Sequence, residues 1–249
     1  MTDRVLKRRA PILDGRLSAA MEMAENCCVF ADIGADHGRL STVMLLSDEN
    51  RYALVADISA QALEKARTRI NRMGLSDRAV FAVSDGLDAL DSLHGKHPDT
   101  IFVLGMGGDT VSGILLRGAA KLHDAALILG AQTELPLVRR TLLSIGYRIR
   151  REVIAAESGR DYVLLRAEPA KDGEASYSEE ELLLGPVLLR EMPTGWLPVL
   201  ERRERLLLQG IAAMQLSRLE KDTERLALFE REIAYVQRAL KQLRKEDLK

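Results

Sequence analysis

"VFADIGADHGRLSTVMLL", residues 29–46, is the stretch on which the reading of the chain turns. An apolar run, Val29–Ile33, meets a small acidic turn and then resumes with helix-forming residues from Arg39. Gly34 permits a sharp turn and close backbone approach, and Gly38 lets the chain enter the helix tightly. A turn after the first strand is where doubly wound sheets bind nucleotide cofactors, and the helix from Arg39 aims its N-terminus at it. Three readings stand open for the turn: a nucleotide loop, a cluster of Asp and His with chemistry of its own, or a tight bend.

The neighbouring segments set the turn in a larger pattern. Tyr52–Ala56, Val80–Val83, Ile101–Leu104 and Ala126–Leu129 are short apolar runs, most closed by Gly or Asp. Helical patterns lie between them, notably Ser59–Gly74, where Ser59 caps the start and Leu63, Ala66 and Ile70 share one face. Apolar strands alternating with helices indicate a parallel sheet covered on both sides. The rhythm then changes. "YRIRREVIAAE" and "DYVLLRAE" are strands whose connection is too short for a crossover helix, so they form an antiparallel hairpin. Dinucleotide-binding sheets are usually parallel throughout, whereas class I methyltransferases insert an antiparallel strand. The expected fold is therefore α/β, a Rossmann-like class I methyltransferase sheet with a terminal antiparallel hairpin.

"PAKDGEASYS", residues 169–178, is polar and rich in breakers and reads as a linker. Beyond it Leu219, Leu226, Ile233 and Leu240 recur at heptad spacing, with Phe229, Val236 and Leu243 beside the last three. That seam supports a short helical, coiled-coil-like hairpin, with 197–216 as the antiparallel partner helix.

At 249 residues, 47% apolar and 29% charged, the chain can bury a core. A net charge of −1 does not advertise a nucleic-acid partner. Local charge is less even: Arg4, Lys7, Arg8, Arg9 and Arg16 cluster near the start, and Arg139, Arg140, Arg148, Arg150 and Arg151 further on. Each is a candidate phosphate-binding patch, or simply a solvated face. Cys27 and Cys28 are adjacent and read as buried small apolar residues of a reducing compartment. No signal-peptide core or membrane-length apolar run is present, so a cytoplasmic location is expected. His37, His94, His97 and His123 show no metal-ligand spacing, and no metal is expected.

The acids narrow the choice of cofactor. "GADHGRLS" lacks the third glycine of the dinucleotide fingerprint, and Asp32 and Asp36 would repel a pyrophosphate. A cationic, phosphate-free molecule suits the loop better, and S-adenosylmethionine, with its sulfonium and ammonium groups, is one. Asp57 ends the second strand where an acid can accept both ribose hydroxyls, although it could equally cap the helix that follows. Asp85 closes the third strand where it or its amide can read an adenine amino group, or it is a turn residue before Gly86. Gly105, Gly107 and Gly108 in "GMGG" clear space at the sheet edge for a planar base, or pack a turn.

"ADIGADHGRL", "DGL" at 85–87, "GMGG" at 105–108, "ESGRDYVLLRAE" and "LLLGPVLLRE" together resemble the bacterial tRNA (adenine-22-N1)-methyltransferase family over nearly the whole chain. The resemblance implies an S-adenosylmethionine-dependent domain over 1–168 and a helical domain over 178–249. It also implies tRNA as the substrate, and the chain is expected to be a monomer or weak homodimer. Carried onto this sequence, it sets the cofactor against Asp32, Gly34, Asp57, Ile58, Asp85, Gly86 and Gly105. Asp36 and His37 become the catalytic candidates. Met106, Gly107, Gly108, Gln132, Arg139, Arg140, Arg8 and Arg9 become the substrate contacts. One departure stands out: many members carry Gln-Pro-Asn where this chain has Gly130, Ala131 and Gln132. Two rivals remain at this point, a non-catalytic binding homologue and a nicotinamide-dependent oxidoreductase.

Overall fold

The structure, a computed structural model, describes residues 10–24, 27–216 and 221–246. The chain divides into two compact units, Met1–Asp172 and Gly173–Lys249.

The first unit is built on seven strands: β1 (Val29–Ile33), β2 (Tyr52–Asp57), β3 (Ala79–Val83), β4 (Thr100–Met106), β5 (Ala126–Ala131), β6 (Tyr147–Glu157) and β7 (Arg160–Pro169). Their order in the sheet is β3-β2-β1-β4-β5-β7-β6. The first five pair in parallel, and β7 runs antiparallel to both β5 and β6. The expected hairpin is thus present, with its second strand inserted beside the parallel core. Helices α1 (Gly15–Glu22), α2 (Arg39–Ser47) and α3 (Ala60–Arg72) pack side by side on one face. On the other face lie α4 (Gly108–Gly118), α5 (Leu135–Ser144) and a 3-10 turn over Gly86–Leu93.

Alternation along the strands sorts residues between these faces. Phe30, Phe102, Leu104, Ile128 and Leu164 meet Leu17, Met44, Leu63, Ala66 and Ile70 of α1–α3 in one buried cluster. Phe30 and Phe102 meet edge to face, their centroids 6.0 Å apart. In α3 the Ser59 hydroxyl accepts from the Ala62 amide, and Leu63, Ala66 and Ile70 are its buried residues. The helix is held by its cap at one end and its apolar stripe along its length. Cys27 is buried, and burial pushes its thiol up to about 11. Cys28 is exposed, contrary to expectation, because adjacent residues entering a strand point to opposite faces.

The second unit is helical: α6 (Glu179–Leu184), α7 (Pro186–Glu191), α8 (Leu197–Leu216) and α9 (Lys221–Glu246). Ser178 and Glu181 form a reciprocal capping box at the start of α6. The hairpin of α8 and α9 is antiparallel, since Glu201 meets Arg244, Glu204 meets Gln237 and Gly210 faces Phe229. Val236, Leu240 and Leu243 are buried as the heptad spacing predicts, while Leu226, Phe229 and Ile233 are half-buried. Leu219 lies outside the described residues.

Candidate active site

Strand order reverses between β1 and β4, and the carboxyl ends of parallel strands open a crevice at such a switch point. A cleft of about 310 Å³ lies there, and into it face Asp32, Gly34, Asp36, His37, Asp57, Gly105, Met106 and Gln132. Eight of the residues singled out from the sequence therefore meet around one cavity of small-molecule size.

The turn after β1 is shaped for close approach. Gly34 has φ +74°, and a Cβ there would lie 2.0 Å from Cε of Met106. Any side chain at this position would strike Met106 and strain the backbone as well. Asp36 is also left-handed, at φ 49°, a conformation that Asp tolerates better than most residues. Its amide donates to Oδ2 of Asp57 at 3.0 Å, while Oδ1 of Asp57 accepts from the Ser59 amide at 2.8 Å. Of the two roles expected for Asp57, the structure shows the one at the start of the following helix. It braces the start of α3 and also locks the β1 turn with its carboxylate at the cleft. The Asp36 side chain is 74% exposed, with its Oδ1 3.6 Å from Nε2 of His37.

Asp32 is buried, and the Ser41 hydroxyl donates to it. Burial pushes its carboxyl up to about 6 against the lowering pull of Ser41, with Asp57 adding to the rise. The opposite wall comes from a β-bulge: Leu104 pairs with Gly130 and Met106 with Ala131, leaving Gly105 as the extra residue. A bulge re-aims the side chain that follows it, here Met106, which lines the cleft. The Met106 carbonyl accepts from the Gln132 amide at 2.9 Å, which fixes Gln132 beside it. Gly130 and Ala131, the departing pair, are the last residues of β5. A Cβ at Gly130 would meet Leu104 and Leu164 at 2.9 Å, so those leucines occupy the space a larger residue needs.

Three charged residues of the cleft, Asp14, Arg16 and Arg39, carry no signal of a cleft role in the sequence. Asp14 caps α1 and pairs with Arg39 at 3.4 Å, and Arg39 also donates to the Ile12 carbonyl. Arg16 had been counted only as part of a surface patch. Its guanidinium lies over the Tyr162 ring at 5.7 Å, and its buried Nη1 makes no hydrogen bond among the described residues. With Arg39 committed to Asp14, Arg16 is the cleft arginine with an unpartnered donor, and its charge draws the Asp32 carboxyl downward. The signal in the sequence was only its position in α1, and nothing local linked α1 to the β1 turn.

The remaining expected residues lie elsewhere. Ile58 is 72% exposed just past Asp57. Asp85 is not at the end of β3, which closes at Val83; it begins the 3-10 turn and pairs with Arg117 at 3.2 Å. Gly86 is buried against Ile114. Gly107 precedes α4 and faces Thr133. Gly108 does not clear space for a base, as had been expected. A Cβ there would lie 2.4 Å from the Thr133 carbonyl, so its lack of a side chain admits the loop after β5.

Arg139 is a correction of a different kind. It is 1% exposed, and its guanidinium grips the buried Glu152 carboxylate at 2.9 Å, which removes it from any phosphate. The acid that answers it stands one residue past the basic run. Arg148 and Arg150, at the start of β6, lie level with the start of β5, at the sheet end away from the cleft. Arg140 is exposed on α5, and Arg8 and Arg9 lie outside the described residues. Among the described residues, no group of three His, Cys, Asp or Glu side chains is placed to hold a metal. No helix among them is long and apolar enough to cross a membrane.

A doubly wound sheet with an inserted antiparallel strand and an acidic cleft at the β1/β4 switch point defines the Rossmann-like methyltransferase class. The family described as "Methyltransferase domain" matches residues 13–165, and the chain belongs to it. The oxidoreductase reading falls with that membership.

A putative tRNA methyltransferase of Mycoplasma pneumoniae is 29% identical over 160 residues, covering 64% of this chain and 72% of its own. Among solved structures, the Bacillus subtilis m1A22 tRNA methyltransferase TrmK superposes with a TM-score of 0.81 at 24% identity. That match covers 92% of this chain and 99% of the other. A putative tRNA (m1A22) methyltransferase of Streptococcus pneumoniae, solved in complex with S-adenosyl-L-methionine, superposes at 0.77 with 21% identity. It covers 92% of this chain and 100% of its own. At these identities the structural likeness is one of fold.

Proposed function

We propose that the chain transfers a methyl group from S-adenosylmethionine to N1 of adenine 22 in tRNA, in the cytoplasm. The observation that carries the reading is the charge layout of the cleft. Asp32, Asp36 and Asp57 face the cavity beside Arg16, a cation with an unpartnered donor. That pattern suits a zwitterion with an added sulfonium charge and disfavours a pyrophosphate. The tRNA substrate rests on the names of the relatives and on the resemblance carried by the sequence motifs.

The residues fit the cofactor on three counts. The buried, unpartnered Nη1 of Arg16 is a donor suited to its carboxylate. Asp57 keeps lone pairs on both carboxylate oxygens for ribose hydroxyls beyond the two amides that it already accepts. The carboxylates of Asp32, Asp36 and Asp57 around the cleft would answer the cofactor's ammonium and sulfonium charges. When bound, S-adenosylmethionine would supply a sulfonium methyl group for the N1 lone pair of adenine to take, the C–S bond pair leaving with sulfur as S-adenosylhomocysteine.

Because N1 attacks without losing a proton, the protein needs no strong base. Its part is positioning and electrostatics. Methylation leaves positive charge on the ring, and the exposed Asp36 carboxylate at the cleft edge offsets that charge near the N6 amino group. His37, Met106 and Gln132 border the same space and orient the base. A stacked adenine cannot reach the cleft, so the nucleotide is swung out of its stack.

Mass spectrometry of unmodified tRNA treated with the enzyme and labelled cofactor tests the reading. The expected product is a single N1-methyladenosine at position 22, and no methyl group, or one elsewhere, overturns it. Asp36→Ala is expected to lower turnover about a hundredfold. Cofactor affinity holds, since the bond to Asp57 comes from the Asp36 backbone.

A further inference from the structure

The cleft does not end at His37. That residue also lines a larger groove of about 800 Å³, walled by Pro11, by Gln61, Glu64, Lys65, Thr68, Arg69 and Arg72 of α3, and by Met73. We infer that this groove holds the phosphate backbone of the RNA strand flanking the target adenine, with Lys65, Arg69 and Arg72 as the phosphate contacts. The inference rests on the proposed tRNA substrate and goes beyond it by assigning the surface that grips the strand.

The argument is one of spacing and charge. Lys65, Arg69 and Arg72 are four and three residues apart, so they form one stripe about 10 Å long on a single helix face. The one acid lining the groove does not cancel them, because Glu64 is paired with Arg67 at 3.5 Å. Arg67 itself turns to the other side, its guanidinium 4.5 Å above the Phe81 ring. The stripe is tied to the catalytic turn. Arg69 uses Nε to donate to the His37 carbonyl at 2.9 Å, and Lys65 Nζ stands 3.2 Å from His37 Nε2. A chain lying along α3 would therefore be delivered to the turn that carries Asp36. Lys65, Arg67, Arg69 and Arg72 stand with no acid among them, but the segment 59–74 reads in the sequence chiefly by its cap and apolar face, so this patch is absent from the basic clusters noted there.

The test is the salt dependence of binding of unmodified tRNA by the full-length protein, with S-adenosylmethionine affinity measured in parallel as a check on folding. Each phosphate contact contributes about 1 to the slope of log K against log salt. Lys65→Ala with Arg72→Ala should therefore lower that slope by about 2, and Arg72→Ala alone by about 1. Arg67→Ala with Glu64→Ala, which removes that ion pair as a unit and leaves the stripe intact, should leave the slope unchanged.

Equal effects of Arg72→Ala and of Arg67→Ala with Glu64→Ala would overturn the groove, since the slope would then not depend on the stripe. So would an unchanged slope in the double variant, or a wild-type protein that does not bind tRNA. A lowered slope together with methylation at a different nucleotide would retain the groove and overturn adenine 22 as the target.

Discussion

Replacing Arg16 by alanine isolates the charge logic of the cleft. Its Nη1 is buried without a hydrogen bond, and its ring partner Tyr162 lies 5.7 Å away. Removing the side chain from the free protein therefore breaks no hydrogen bond at that atom and forfeits a cation–π contact worth about 0.5–1 kcal/mol. The cofactor complex is affected far more. A hydrogen bond to a charged group contributes about 1.5–3 kcal/mol, so S-adenosylmethionine affinity should fall about 10- to 150-fold. Arg39 cannot substitute, because Asp14 and the Ile12 carbonyl already hold it.

Calorimetric titration gives this number directly, and a second ligand makes it diagnostic. Methylthioadenosine keeps the adenosine and thioether but has no carboxylate, so its affinity should be the same in the parent and in Arg16→Ala. Equal weakening of both ligands would mean that Arg16 merely shapes the cleft. Unchanged S-adenosylmethionine affinity would refute the assignment outright.

The other expectations concern the scaffold under the site. The Asp32 carboxyl is raised to about 6 from 3.8, so between those values the folded state holds a proton that the unfolded chain has released, and stability rises as pH falls through that window. That difference between the folded and unfolded chain corresponds to about 3 kcal/mol. Asp32→Asn should be more stable than the parent at pH 8, and denaturant titrations should show that advantage shrinking toward pH 4; a constant difference would refute it. Arg139→Met strands the buried Glu152 carboxylate and should cost about 3–5 kcal/mol, while Arg139→Met with Glu152→Leu should recover most of it in the same assay. Gly34→Ala places a Cβ against Met106 at φ +74° and should cost at least about 1–2 kcal/mol from the backbone alone. Adding Met106→Ala should restore the part due to the clash, so thermal denaturation of the two single variants and the double should be non-additive.

The alternation of apolar runs with helical patterns, the short connection before "DYVLLRAE" and the acids of "DIGADHG" follow from residue order alone. They were therefore legible before any tertiary information. Strand and helix periods are local properties, and a hairpin too short for a crossover can only be antiparallel. The heptad seam near the C-terminus was legible for the same reason, as was the family likeness.

Three matters were decided only by folding. Arg139 looked like a surface cation because its partner, Glu152, is a helix and a turn away in sequence and becomes its neighbour only when β6 joins the sheet. Arg16 looked like surface charge because α1 reaches the cleft only by packing on β6 and β7, strands more than a hundred residues downstream. Gly105 and Gly108 look alike in "GMGG", yet one forms a bulge that aims Met106 into the cleft and the other makes room for a loop. Sequence patterns report which face of its own element a residue occupies. Which group finally stands opposite, and therefore whether a charge is answered or left for a ligand, is settled by long-range packing.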